Sequence, residues 1–340
     1  MAGRAGILKG MRPFFLRRWL AGCLFVAVLF AGEELALAQS GQVTLTPALV
    51  EAGSPELIHV EAPPAAKLEG EWLGRKLEFF PARDGRGWFA LAGVDVEAPV
   101  GPSQLKIRAR LPQGEVRDLS RAEEIHAAHY RTGALTVEPK FVSPGADALA
   151  RIKEEVELKA KVFTASASEP LWSGSFRAPV AAPATDSFGT RRMFNGKLAS
   201  IHKGMDFRAP MGTPVRAGNS GVVVLARALY YEGNCVVVDH GLGLFTIFMH
   251  FSRIDVHEGE HVTTGRQLGL SGATGRVTGP HLHWAVRWQG AYLDPAKLLR
   301  LDLRGARSRV SASCSASRAA AGWGNACVFT PAAFSSRSAL

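Results

Sequence analysis

Between Thr213 and Val286 the chain breaks into short β-rich runs: Gly221 to Leu225, Cys235 to Val238, Phe245 to His250 and Leu282 to Val286. Gly and Asp/Asn separate them, the punctuation of antiparallel strands joined by tight turns. No helical period of useful length interrupts the pattern. Chemistry in this segment is therefore expected on a rigid sheet and its loops. Two clusters carry ligand side chains, His202-Lys203-Gly204-Met205-Asp206 and His281-Leu282-His283. The H-x-x-x-D spacing would share a helix face, but Gly204 and Ala209-Pro210 favour strand or loop. In a strand, residues two apart point to one face, so His281 and His283 project into one site and Leu282 into the core. His202, Asp206 and His283 then offer the three protein ligands typical of zinc that does chemistry and keeps a fourth position for water. Structural zinc is closed by four ligands, mostly Cys. The H-E-x-x-H signature of helix-borne zinc proteases is absent.

On these residues the chain resembles the lysostaphin-type, or LytM-domain, zinc metallopeptidases that cut peptidoglycan peptides. The resemblance runs from about Ser187 to Leu299. Ser187-Phe188-Gly189-Thr190-Arg191-Arg192 looks like the family's entry segment and His202 to Asp206 like its first ligand motif. Ala209 to Val215, Gly221-Val222-Val223, Gly233-Asn234 and Val238-Asp239-His240-Gly241 match the strands that follow. Met249-His250-Phe251-Ser252 stands where the family usually has Tyr-Ala-His-Leu-Ser, with Met249 and Phe251 as apolar departures. Gly275 to Pro280 leads into His281-Leu282-His283. The resemblance implies a zinc endopeptidase on an antiparallel sheet, with one zinc ion per chain held by His202, Asp206 and His283.

Zinc polarises a scissile carbonyl and brings the pKa of a bound water to about 7. His281 shares the face of His283 without being needed as a ligand, which suits a general base. His250, brought over from another strand, suits orienting the water or stabilising the oxyanion, and the sequence leaves open which of His281 and His250 takes the first proton. With two neutral imidazoles, the Asp206 carboxylate leaves the site a net charge of about +1, favourable to an anionic intermediate. A lone His is more often a surface or core residue than a ligand. His240 accordingly reads as a turn residue bracing a hairpin, and His257 and His261 as solvated. His59, His126 and His129 form no ligand spacing.

At the amino terminus Arg12, Arg17 and Arg18 precede the apolar stretch Trp19 to Ala31, and Ala36-Leu37-Ala38 offers a small-residue cleavage site before Gln39. This predicts a signal peptide over 1–38 and export to the periplasm or cell envelope. The apolar run is too short to span a bilayer comfortably, so no integral membrane protein is expected after cleavage. Leu20-Ala21-Gly22-Cys23 resembles a lipoprotein processing box, but the apolar run follows Cys23 instead of preceding it. The net charge of +10 is concentrated at the two ends. An exported chain with no basic stripe is a poor nucleic-acid partner. Cys23 would leave with the signal, Cys314 and Cys327 could pair in an oxidising compartment, and Cys235 reads as a buried thiol.

The fold class expected is mostly β. Residues 42–139 alternate apolar and polar in short runs between turn signals and read as a small β-sandwich, plausibly immunoglobulin-like. Leu149, Ile152, Val156, Ala160 and Phe163 have helical spacing, predicting a connecting helix over 145–165. The Ala/Pro-rich stretch 178–186 reads as a linker, 187–300 as the peptidase domain, and the Ser/Ala-rich 301–340 as a disordered tail. Three functions are consistent with this organisation. The first is a zinc endopeptidase acting on peptidoglycan peptides. The second is a non-enzymatic LytM-type regulator of a cell-wall amidase, and the third a wall-binding module. Regulators of the second kind typically have lost zinc ligands, which are all present here. The third would need an aromatic platform, for which Trp72 and Trp88 are available, although a core role explains each more simply.

Overall fold

The structure is a computed structural model and describes residues 42–134, 144–194 and 197–305. The expected signal segment, the tail beyond Gly305, and Cys314 and Cys327 lie outside the described residues. Among the described residues, no helix is long and apolar enough to cross a membrane.

The upstream half contains β1 (Val43–Thr46), β2 (Pro55–Val60), β3 (Lys67–Trp72), β4 (Arg75–Leu77) and β5 (Phe79–Pro81). It continues with β6 (Trp88–Gly93), β7 (Gly101–Arg110), β8 (Val116–Asp118) and β9 (Arg121–Ile125). One sheet has the order β1-β2-β6-β5 and the other β4-β3-β7-β8, with β9 also on β7. All these pairs are antiparallel. Alternation along β7 buries Leu105, Ile107 and Ala109 and exposes the charged residues between them. Trp72 is buried at the end of β3, its indole N–H donating to Ser103 Oγ at 3.2 Å. Trp88 donates to the Pro63 carbonyl. The Trp72 ring therefore belongs to the core and offers no platform, while Trp88 is partly buried.

The downstream half contains β10 (Thr132–Ala134), α1 (Ala146–Val162), β11 (Ala184–Asp186), β12 (Arg191–Phe194), β13 (Lys197–Ile201) and β14 (Met205–Phe207). There follow β15 (Pro214–Arg216), β16 (Gly221–Leu229), β17 (Gly233–Asp239), β18 (Leu244–Ile254) and β19 (His261–Val262). The last elements are β20 (Gln267–Ser271), β21 (Leu282–Trp288), β22 (Ala291–Leu293) and α2 (Pro295–Arg300). A ten-stranded sheet runs β11-β14-β21-β18-β17-β16-β19, with β15, β20 and β22 attached. Because side chains alternate, β21 turns Leu282, Trp284, Val286 and Trp288 into the main core and His283, Ala285 and Arg287 to the other face. That other face carries Leu225, Leu229, Cys235, Val237, Phe245 and Ile247, covered by Leu158, Val162 and Phe163. So α1 docks by its carboxyl-terminal half, while Leu149 and Val156 of the helical stripe remain exposed.

The two halves share one hydrophobic core. Leu293 of β22 fills the space over Gly93, where an added Cβ would come within 2.6 Å of it. Main-chain bonds join Asp294 N to Gly53 O (2.7 Å) and Val96 N to Tyr292 O (3.2 Å). The Ala/Pro-rich stretch does not hang free. Pro179 O and Pro183 O accept from Arg216 N and Arg208 N, Val180 is buried, and 184–186 forms β11 on the sheet. Composition alone hides this, because the partners are backbone groups of distant strands.

Candidate metal centre

Asp206 and His283 face each other directly in the β14–β21 ladder, so register alone brings the two side chains to one face. His202 arrives from the turn between β13 and β14. Gly204 sits where a Cβ would lie 2.4 Å from His283 Nε2, so only glycine lets the ligand turn pass this close. The three ligand atoms form a triangle: His202 Nε2 to Asp206 Oδ1 3.1 Å, His202 Nε2 to His283 Nδ1 3.0 Å, and His283 Nδ1 to Asp206 Oδ1 2.9 Å. Ligands at about 2.0–2.1 Å around a tetrahedral zinc stand about 3.3–3.4 Å apart. Two imidazoles and a carboxylate converging at nearly that spacing therefore fit the ion. These are the only three His, Cys, Asp or Glu side chains among the described residues that group this way.

Burial pushes the Asp206 carboxyl up, but hydrogen bonds and charge from His202 and His283 outweigh it and hold the group well below the usual carboxylate range. His202 Nδ1 faces the Ser187 carbonyl at 3.0 Å and Asp186 Oδ2 at 3.2 Å. Asp186 accepts in turn from Thr190 Oγ1 (2.8 Å) and Arg192 (3.1 Å), and Arg192 also reaches Asp206 Oδ2 at 3.4 Å. A carboxylate behind a ligating imidazole fixes its tautomer and orientation. The sequence gives little sign of Asp186, Thr190 and Arg192, although all three lie in or beside the entry segment at Ser187.

His281 immediately precedes β21 and is fixed by an isolated bridge to Gly272. Its Nδ1 faces the Gly279 carbonyl at 2.8 Å and its Nε2 lies 3.7 Å from Asp206 Oδ1. His250, buried on β18 with φ 69°, faces the Thr274 carbonyl through Nδ1 at 2.8 Å. Its ring centroid is 5.0 Å from that of His281 and 6.1 Å from that of His283. Burial, reinforced by the neighbouring imidazoles, lowers its pKa to about 3. All five site residues named by the sequence thus converge. His240 lies elsewhere, fully buried between Ser220 O (2.7 Å) and Thr246 Oγ1 (2.8 Å), with burial lowering its pKa to about 4. It braces the β17–β18 hairpin, as its position in the turn suggests. His257 is solvent-exposed beside Glu260.

Residues 200–295 match the model of peptidase family M23. They form a peptidase family M23 domain. The M23 domain carries the whole ligand triangle together with His250 and His281. A peptidoglycan DD-endopeptidase of Vibrio cholerae, ShyA, is 43% identical over 114 residues, covering 33% of this chain and 26% of that protein. The DD-carboxypeptidase/endopeptidase Mpg of Neisseria meningitidis is 40% identical over 98 residues, 29% of this chain and 23% of that one. The chain thus spans about a quarter of the length of these curated relatives. A crystal structure of an M23 peptidase from Pseudomonas aeruginosa superposes with a TM-score of 0.55 at 28% identity, covering 73% of this chain and 94% of that one. That share exceeds the M23 domain, so the likeness extends upstream of it.

Proposed function

We propose that this chain is an exported, zinc-dependent endopeptidase that hydrolyses peptide bonds in peptidoglycan cross-links. The observation that carries the reading is the triangle of His202, Asp206 and His283 with two further imidazoles turned toward it. The names of the curated relatives support peptidoglycan as substrate and a D,D cross-link as the bond. When bound, zinc would supply Lewis-acid polarisation of the scissile carbonyl and acidify a water to about neutral pKa.

The rest falls to side chains. The Gly279 and Thr274 carbonyls can only accept, so the Nδ1 atoms of His281 and His250 carry protons and both Nε2 atoms offer lone pairs. His281 Nε2, beside Asp206 Oδ1, takes the proton of the attacking water and returns it to the leaving amine. His250, held neutral by burial, accepts a hydrogen bond from that water and aims it. Asp186 orients His202, and Arg192 holds the outer oxygen of Asp206. A non-enzymatic regulator would need none of this constellation. Incubating the zinc-loaded protein with purified sacculi and identifying the released muropeptides tests the reading. Cross-linked dimers are expected to give monomers; intact dimers after exhaustive digestion would overturn it.

A further inference from the structure

The loop between β20 and β21 interlocks with the turn between β16 and β17. Thr274 Oγ1 accepts from Asn234 N (2.9 Å) and donates to Phe251 O (2.9 Å), while Arg276 N donates to Tyr231 O (2.9 Å). Gly275, at φ 77°, would place a Cβ 2.3 Å from Gly233 N, so the two segments touch backbone to backbone. This is the loop that orients His250 through Thr274 O and ends at His281. Arg276 lies two residues from Thr274, so their Cα atoms are within about 7 Å of one another. It is solvent-exposed, and its guanidinium lies over the Tyr231 ring, 4.6 Å from the centroid. Tyr231 is itself edge-on to Tyr230 at 5.0 Å.

Arg192 is paired with Asp186 and Asp206, and Lys203 with Glu97. Arg276 has no ion pair with any carboxylate of the described residues. Stacking occupies the face of a guanidinium and leaves its in-plane N–H fork free, the edge that takes a carboxylate bidentately. The cation–π contact also restrains the side chain before any ligand arrives, so little further entropy is lost on binding.

We propose that Arg276, presented by Tyr231, is a specificity-determining residue that binds a free carboxylate of the substrate peptide flanking the scissile bond. The proposal rests on the peptidase reading above. Peptidoglycan stem peptides bear such carboxylates, and their amidation removes the charge while conserving shape.

The test uses the full, zinc-loaded chain and two cross-linked peptide dimers that differ only in whether the carboxylates beside the scissile bond are free or amidated. The wild type is expected to favour the free acid by about 10–100-fold in kcat/KM, the range for a charge-assisted hydrogen bond. Arg276→Gln should bring that ratio below about 3, chiefly through KM, because the contact exists before the chemistry. Arg276→Lys should keep part of the preference. A wild type with no preference would overturn the proposal. So would an Arg276→Gln variant that slows both substrates equally, which would mark a purely structural role. Hydrolysis of neither dimer by the zinc-loaded wild type would instead overturn the peptidase reading, and the proposal with it.

Discussion

Each half of the molecule buries a carboxylate, and the two behave in opposite ways. Glu56, on β2 of the sandwich, is fully buried and accepts from Ser54 Oγ, while its second oxygen has no partner among the described residues. Burial pushes its pKa up to about 8; Ser54 and Lys297 oppose this, and Glu123 and Glu51 add to it. Asp206 is nearly as buried, yet two imidazoles converge on it and hold it far down. Burial sets the direction only where no donors or cations converge. Glu56 is therefore a neutral acid packed into the sandwich, whereas Asp206 remains a charged carboxylate between two imidazoles. A buried carboxylate is not by itself a site; the convergence of complementary groups makes one.

Exchanging each carboxyl for its amide separates the two roles most sharply. Asp206→Asn should weaken zinc binding by more than about 100-fold, since it removes the only anionic ligand of three. Glu56→Gln should leave the zinc affinity unchanged. Titration with a competing chelator measures both, and similar losses in the two variants would break the contrast.

The same pair differs in pH dependence. Glu56 titrates near 8 in the folded chain against an ordinary 4.5, so the folded state holds the proton more tightly. Its contribution to stability is fully present below about pH 4.5 and is lost as pH rises toward 8, on the order of a few kcal/mol. Glu56→Gln should therefore lose less stability than the wild type, or gain more, as pH rises from 5 to 8, while the opposite contribution of the buried, neutral His240 and His250 below about pH 6.5 is common to both. An unchanged slope in the variant would show that Glu56 is not the group titrating.

A smaller effect probes the seam between the halves. The Tyr130 hydroxyl donates to Ala52 O at 2.6 Å, and its ring packs edge-on against Phe188 and directly over Gly189, whose N–H donates to the carbonyl of His202. Tyr130→Phe keeps the ring and removes about 1 kcal/mol of hydrogen bonding. It should lower Tm by about 2–4 °C, as measured by calorimetry at pH 6. No change in Tm would mean that this contact does not secure the seam.

The convergence of His202, Asp206 and His283 was legible because metal chemistry admits few residue types and the two-residue strand period fixes which of them share a face. His281 reaches the site although it stands just outside β21, because the bridge to Gly272 continues the strand's alternation. Asp186, Thr190 and Arg192 were not legible, since their partners depend on the path of the loop that carries them. The sandwich strands follow from alternation along runs such as β7. For α1 the spacing gave the helix but not its docked face, which the apolar side of the sheet selects through Leu158, Val162 and Phe163. The sequence reads 42–139 and 187–300 as separate domains joined by a helix and a linker. The shared core and the bonds from Asp294 to Gly53 and Tyr292 to Val96 are long-range packing that no local pattern records.

On the proposed reading His283 is a zinc ligand while His281 moves protons. Zinc content and hydrolysis rate, measured on the same preparations of His283→Ala and His281→Ala, separate the two roles. His283→Ala is expected to lose most of its zinc and its activity. His281→Ala should keep its zinc and turn over about 100-fold more slowly, the usual contribution of a positioned proton-transfer group. Full zinc occupancy in His283→Ala, or near-normal turnover in His281→Ala, would contradict it.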